Sequence, residues 1–329
     1  MRVESRVTSL SWIPSEAVTG LMKNAFTTIS HYDDPPPAEL GDLGEMRDTD
    51  RFRFANRLAV WAEFDGRLVV DHGASGGVLM GSSRLGVGPV GTSFAAIALP
   101  DLRGEPAVGD GWVRYTQTVG GRAAMPCPRR ISSPPFVRLQ SPLVWTTLSI
   151  TLHADGTSES NLDGASPFPR HWVYGDDDTL ILKAGTTDYQ GWVGQEGRHR
   201  TPWGDEDSPV VVTAAETALE RQLSTTIMRG GHRPVLRTVP PGEIVVKQGS
   251  EERDLLLLLD GVLTVDVDGT PLPELGPGAV IGERAVLEGG RRTATLTAST
   301  QVRLAQVPAE HVDRELLARL AEVHKREQA

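Results

Sequence analysis

The sequence predicts two mainly β domains in one chain of 329 residues. Three observations carry that expectation. Asp-Gly pairs punctuate the chain at Asp65-Gly66, Asp110-Gly111, Asp155-Gly156, Asp163-Gly164, Asp260-Gly261 and Asp268-Gly269, and both residue types tolerate the positive φ of tight hairpin turns. Strand-like runs flank several pairs. Leu148, Ile150 and Leu152 alternate with Ser149, Thr151 and His153, the period of a half-buried strand. Stretches with helical period are few.

Taken in order, Pro14-Ser15 reads as a helix start, with Val18, Leu21, Met22, Ala25 and Ile29 on one face. Pro35-Pro36-Pro37 then enforces an extended or irregular segment. Residues 58–64 and 67–71 read as one hairpin. Residues 171–174 and 179–183, around Gly175-Asp176-Asp177-Asp178, read as another with a solvated tip. A second helix is predicted from Thr213, where Thr213 and Glu216 fit a capping box. Leu219, Leu223 and Ile227 form its apolar stripe, and Gly230-Gly231 ends it. A last helix follows Pro308, with Val312, Leu316, Leu320 and Val323 on one face. Residues 198–209 are polar and rich in Pro, Gly and Asp, as linkers are. All seven tryptophans precede the end of this stretch, the last being Trp203. The expected division is residues 1–205, a β-rich sandwich or barrel with one or two helices, and residues 213–329.

Composition narrows the function classes. The formal net charge is −10, which disfavours non-specific binding to nucleic acid or anionic lipid. Cys127 is the sole cysteine, so no intramolecular disulfide forms, in keeping with a reducing cytosol. The N-terminus lacks the long apolar core of a signal peptide. The apolar run 255–259 is far too short to span a bilayer. Arg outnumbers Lys, and Ala, Gly and Pro are plentiful, a bias of GC-rich bacterial genomes. A cytoplasmic bacterial protein without membrane or nucleic-acid partners is expected.

The N-terminal half holds motif-like stretches that lack their context. Gly86-Val87-Gly88-Pro89-Val90-Gly91 matches G-x-G-x-x-G, but a dinucleotide site needs a following helix, and Pro89 sits in the turn. Gly73-Ala74-Ser75-Gly76-Gly77 matches G-x-S-x-G, but the residues after it are poor helix formers. His31, His72, His153, His171 and His199 lack metal-ligand spacing, so no metal is expected. Trp112, Tyr115, Trp145, Phe168, Trp172, Tyr174, Tyr189 and Trp192 are expected to form a core rather than line a cavity.

The C-terminal part carries the most specific signal. Gly282-Glu283-Arg284-Ala285-Val286-Leu287 is followed by Arg291-Arg292-Thr293-Ala294. Upstream stand Pro241-Gly242-Glu243-Ile244-Val245-Val246-Lys247-Gln248-Gly249 and Asp254-Leu255-Leu256-Leu257-Leu258-Leu259-Asp260-Gly261. A glycine at 282 lets backbone approach a ligand closely. A short turn from Glu283 presents free N–H groups to phosphate oxygens, and Arg292 can return to the same phosphate. A carboxylate such as Glu283 only accepts hydrogen bonds, which suits a ribose hydroxyl.

These residues resemble the phosphate-binding cassette of the cyclic-nucleotide-binding domain family, whose members include catabolite activator proteins, kinase regulatory subunits and gated channels. The resemblance covers about the last third of the chain. It implies a jelly-roll-like β-roll with flanking helices. It implies that Glu283 holds the ribose 2′-hydroxyl and Arg292 the phosphate. The backbone of Gly282, Arg284 and Ala285 would complete the cradle, with Val286, Leu287 and Leu296 lining or supporting it. Arg284 departs from the apolar residue usual after the Glu. Thr293 stands where cyclic-GMP binders often carry a hydroxyl, yet cyclic-AMP binders carry Thr there too. The expected ligand is cyclic AMP over cyclic GMP.

Only one helical segment follows the strand at 301–307, so no DNA-reading helix-turn-helix is expected. Leu317, Leu320 or His324, or else the N-terminal domain, is expected over the base. The leading expectation is a non-enzymatic cyclic-nucleotide sensor acting on its N-terminal domain, a protein partner or a second copy of itself. The alternatives are an enzyme whose N-terminal catalytic β domain is gated by the C-terminal module, and a scaffold that keeps the fold for structure.

Overall fold

A computed structural model describes residues 1–14, 17–18, 33–87, 90–123, 127–130, 137–140, 143–185, 187–189, 202–203, 212–214, 220, 223, 226–228, 234–288, 290–312 and 314–327. The chain divides into two compact units, Met1–Val210 and Val211–Ala329.

The first unit is built on eight principal strands: β1 (Arg2–Trp12), β2 (Phe54–Asp65), β3 (Leu68–Met80), β4 (Trp112–Arg122), β5 (Leu143–His153), β6 (Ser158–Ala165), β7 (Arg170–Tyr174) and β8 (Leu180–Ala184). One antiparallel sheet contains the order β8–β7–β1–β2–β3, and a second contains β6–β5–β4. Their inner faces share one core. Val3, Val7, Leu58, Val60 and Phe64 from the first sheet meet Val113, Leu148, Ile150 and Leu152 from the second. This is the sandwich solution, in which alternate residues of each strand turn inward. Tyr115, Trp145, Phe168, Trp172, Tyr174 and Tyr189 are buried, so these rings are core. Trp112 is half-buried, and Trp192 lies outside the described residues.

Four of the six Asp-Gly pairs make the hairpin turns they predict. Asp260-Gly261 instead joins Asp254–Asp260 to Leu263–Val267, strands of different sheets, and Asp163-Gly164 is the other exception. Asp163-Gly164 lies inside β6. There Leu162 pairs with Leu148 and Gly164 with Thr147, across a register shift, so Asp163 is the extra residue of a bulge. The tip at 176–178 is also not simply solvated. Asp176 accepts from Ser5 Oγ at 2.9 Å and from the Arg6 N–H, and Arg6 pairs with Asp178 at 2.6 Å. The tip is clasped to β1.

The motif-like stretches form neither of the sites they mimic. Gly86 pairs with Gly91 across an antiparallel hairpin of Ser82–Val87 and Val90–Ala95. Ser75 sits in the middle of β3, opposite Ala59 of β2, with no strand-to-helix elbow.

Most of the predicted first helix lies outside the described residues. Ala17 and Val18 are buried with Ile13, Phe54 and Phe168. A six-residue helix, α1 (Leu43–Asp48), is an addition. Asp42 caps it by accepting from the Glu45 N–H at 2.8 Å. Its Leu43 and Met46 cover Leu10, Trp12, Trp172 and Tyr174 on the outer face of the first sheet.

Polar side chains also lie inside this unit. His171 is fully buried, with Nδ1 2.6 Å from Ser11 Oγ and Nε2 2.8 Å from the Ser166 carbonyl. A carbonyl only accepts, so Nε2 carries the proton and Nδ1 accepts from the serine: the ring is neutral. Burial pushes the His171 pKa down to about 4, against the partial opposition of the Ser166 bond. The folded value lies below the unfolded value near 6.5. The unfolded state therefore binds the extra proton between these limits. His171 contributes its full stability above about pH 6.5 and loses it as pH falls toward about 4, a loss of about 3 kcal/mol. Urea unfolding followed from pH 7 to pH 4.5 should show a steeper decline for the wild-type protein than for His171→Gln; equal slopes would refute this assignment.

The second unit opens with a short strand, Val212–Ala214. Thr213 therefore lies in a strand and not at a helix cap. The β-branched run Val210-Val211-Val212-Thr213 favours extended backbone. Residues 220, 223 and 226–228 are helical, while Glu216, Leu219 and Gly230-Gly231 lie outside the described residues. Eight strands follow: β9 (Val235–Val239), β10 (Ile244–Val246), β11 (Asp254–Asp260), β12 (Leu263–Val267), β13 (Thr270–Leu275), β14 (Val280–Ile281), β15 (Thr295–Ala298) and β16 (Val302–Pro308). They form two antiparallel sheets, ordered β9–β16–β11–β14 and β10–β15–β12–β13, the expected β-roll. Asp268 and Gly269, at φ 53° and 82°, make the two-residue turn between β12 and β13.

The leucine run of β11 is apolar throughout because both of its faces are covered. Leu256 and Leu258 point between the sheets, with Val246, Leu263, Leu296 and Leu304. Leu255, Leu257 and Leu259 point outward to Leu223, Ile227, Leu317 and Leu320. The last two belong to α3 (Arg314–Glu327), which follows a short 3-10 turn at Ala309–His311; α2 (Glu283–Glu288) lies between β14 and β15. The side chains of Leu316 and Val323 are outside the described set.

Candidate functional site

The site is assembled around Gly282. Ile281 of β14 pairs with Leu256 of β11, which fixes where the chain leaves the sheet. Gly282 then takes φ +98°, a conformation that costs glycine nothing and strains other residues. A Cβ there would overlap Nη1 of Arg292 and come within 3.1 Å of the Asp254 carbonyl oxygen. The chain enters α2 directly, and the Val286 N–H donates to the Gly282 carbonyl at 3.1 Å. The N–H groups before Val286 belong to the first turn and have no acceptor within the helix. At the other end the Gly290 N–H donates to the Ala285 carbonyl at 2.5 Å, which turns the chain back.

Arg292 is held from both sides. Its N–H donates to the Ser250 carbonyl at 2.9 Å, and its own carbonyl accepts from the Gly249 N–H at 2.8 Å. The pinned backbone sends the side chain under Gly282, where it is only 2% exposed. Nη2 donates to the Asp254 carbonyl at 2.7 Å and lies 3.4 Å from Glu252 Oε2. Nε and Nη1 are buried without a hydrogen-bond partner among the described residues. Leaving donors of a charged group unpaired costs about 1–3 kcal/mol or more, so this guanidinium is prepared for an acceptor.

The fold thus gathers Gly282, Glu283, Ala285 and Arg292. Glu283 and Ala285 are buried, Arg284 is half-buried, and Thr293 is exposed beside the buried Arg292. Val286 and Leu287 pack on the outer cluster that includes Leu317 and Leu320, while Leu296 lies in the inner core. Leu317 and Leu320 are each 0% exposed in that cluster. They fasten α3 to β11. The side chain of His324 is outside the described residues. Asp254 and Glu252 were not picked out by sequence. One acts through a backbone carbonyl, and the other meets Arg292 only because the fold brings together residues 40 apart. Among the described residues, no group of three or more His, Cys, Asp or Glu is placed to hold a metal ion, and no helix is long and apolar enough to cross a membrane. What the arrangement offers is cationic and N–H donors beside an acceptor-only carboxylate, a pairing suited to a ligand with both an anionic group and hydroxyls.

Known proteins share this segment. The family model described as cyclic nucleotide-binding domain matches residues 236–319. The cyclic nucleotide-gated potassium channel mll3241 of Mesorhizobium japonicum is 41% identical over 69 residues, which is 21% of this chain and 19% of the channel. The human potassium/sodium hyperpolarization-activated cyclic nucleotide-gated channel 3 is 37% identical over 71 residues, 22% of this chain and 9% of the channel. The matched region is thus a small part of both relatives. A solved structure titled cAMP bound PfPKA-R (141-441) is 22% identical, covers 33% of this chain and 42% of its own, and has a TM-score of 0.27. Residues 236–319 of this chain form a cyclic nucleotide-binding domain of the matched family.

Proposed function

We propose that residues 213–329 are a cyclic-nucleotide sensor and that residues 1–205 carry its output. The observation behind this reading is the Arg292 guanidinium, buried against Gly282 with Nε and Nη1 unpartnered among the described residues. In the proposed complex a cyclic phosphate supplies acceptors to Arg292 and to the backbone of Gly282, Arg284 and Ala285. Each charge-assisted bond contributes about 1.5–3 kcal/mol. Glu283 accepts from the ribose 2′-hydroxyl. Thr293 is exposed and follows the buried Arg292 in sequence; in this reading a purine edge meets it, and cyclic AMP is favoured over cyclic GMP. The protein works in the cytoplasm without nucleic acid or membrane, acting on a protein partner or a second copy through its N-terminal domain. The ligand drives that output only through unequal affinity for two states of the protein.

Calorimetry on the full chain with cyclic AMP and with cyclic GMP tests the ligand. Binding of both, with cyclic AMP tighter, is the expected result; no heat from either at millimolar concentration would reject the sensor. All seven tryptophans lie at or before Trp203. A change in their emission on nucleotide addition would register transmission to the N-terminal unit.

A further inference from the structure

The geometry points to Glu252 as a built-in anion that competes with the ligand phosphate for Arg292, setting the affinity of the pocket; this rests on the sensor reading above. Arg292 Nη2 has two partners of unlike kind. The Asp254 carbonyl at 2.7 Å is backbone of β11 and stays in place when ligand arrives. The Glu252 carboxylate, at 3.4 Å, belongs to a side chain that is 51% exposed. Arg292 itself is 2% exposed. The buried cation is fixed and the anion beside it is free to leave for water.

Both halves of the binding equilibrium then oppose the ligand. In the free protein Glu252 partly neutralises the guanidinium, and that attraction is given up when a phosphate takes the cation. In the complex a carboxylate that stays nearby repels the phosphate. The effect is moderate, because half of the Glu252 side chain is in water and solvent screens exposed pairs. Glu251 supplies an internal comparison. It is a neighbouring carboxylate, 75% exposed, but it addresses Arg291 at 3.3 Å and not Arg292.

The test is Glu252→Gln in the full chain, with Glu251→Gln as a control that changes net charge equally. Nucleotide affinity is measured by calorimetry for cyclic AMP and cyclic GMP, and thermal unfolding confirms folding. Glu252→Gln should bind both nucleotides about fivefold tighter, the scale of a half-exposed ion pair, and Glu251→Gln should stay near wild type. Binding gained by Glu252→Gln where the wild type shows none would support Glu252 as the competing anion while rejecting the sensor role of the native chain. Wild-type binding with Glu252→Gln equal or weaker would overturn it and leave the pocket standing, with Glu252 a positioning partner of Arg292. An equal gain in Glu251→Gln would also overturn it, since net charge would then explain the effect. No binding by wild type or by Glu252→Gln would overturn both readings together.

Discussion

Gly282→Ala is expected to reduce cyclic-nucleotide affinity by about a hundredfold, or about 2.7 kcal/mol, the equivalent of one strong charge-assisted bond. Two independent effects act in the same direction. At φ +98° an alanine is strained whatever space surrounds it. Its Cβ would also occupy the position of Arg292 Nη1, and it has no second way out, because the Asp254 carbonyl lies 3.1 Å off. The guanidinium must move, yet its backbone is pinned to Gly249 and Ser250. It therefore leaves the α2 end of the site. Arg292→Ala removes the same cation without disturbing the turn, and should match Gly282→Ala in affinity while differing in stability. Titration of both variants with cyclic AMP checks this. Near-wild-type affinity in Gly282→Ala with lost affinity in Arg292→Ala would show that the turn is not the cradle. Unchanged affinity in both would place the phosphate elsewhere.

The site was legible in the sequence to the extent that its parts are local. Gly282, Glu283 and Arg292 stand at a spacing that one turn of helix and a reversed chain can close, and the fold closes it. The second partner of the guanidinium was not legible. A backbone carbonyl such as that of Asp254 leaves no mark on residue type, and the nearness of Glu252 depends on the pairing of residues 249–251 with 291–292. The same division holds for the fold. The alternation at 148–153 and the hairpin over 170–184 follow local rules and appear as read. Asp163-Gly164 reads like every other turn pair, and only the register of β6 against β5 makes it a bulge. Thr213 and Glu216 fit a cap, but the β-branched neighbours of Thr213 favour extended backbone there. Helix α1 is too short to show a period, and its apolar pair matters only because the outer face of β1 and β7 needs covering.

Asp33→Ala is expected to cost the N-terminal unit about 3–5 kcal/mol, the usual penalty for breaking a buried ion pair from one side. Asp33 and Arg53 have side chains 0% and 4% exposed, joined by Nη2 to Oδ1 at 2.6 Å and Nε to Oδ2 at 3.1 Å. Oδ2 also accepts from the Ile13 N–H at 2.7 Å. Burial works against the guanidinium charge, but Asp33 and then Asp50 outweigh it and hold the Arg53 pKa above its ordinary value. Removing Asp33 leaves a buried cation beside Asp50, whose Oδ1 lies 3.0 Å from Nη1, and strips the acceptor from Ile13. The tie also joins three distant pieces of chain: the end of β1, the return at residue 33 and the approach to β2. Arg53 reinforces it by donating its backbone N–H to the Ser11 carbonyl at 2.8 Å. Because the penalty comes from the stranded partner and not from lost attraction alone, the double variant Asp33→Leu with Arg53→Met should recover more than half of it. Urea unfolding at pH 7, followed by tryptophan emission, reads this unit, since all seven tryptophans lie at or before Trp203. A single-variant cost below about 1 kcal/mol would class the pair with solvent-exposed bridges; a double variant no better than the single would mean that the packing around residues 33 and 53, and not their charge, secures the return of the chain to β1.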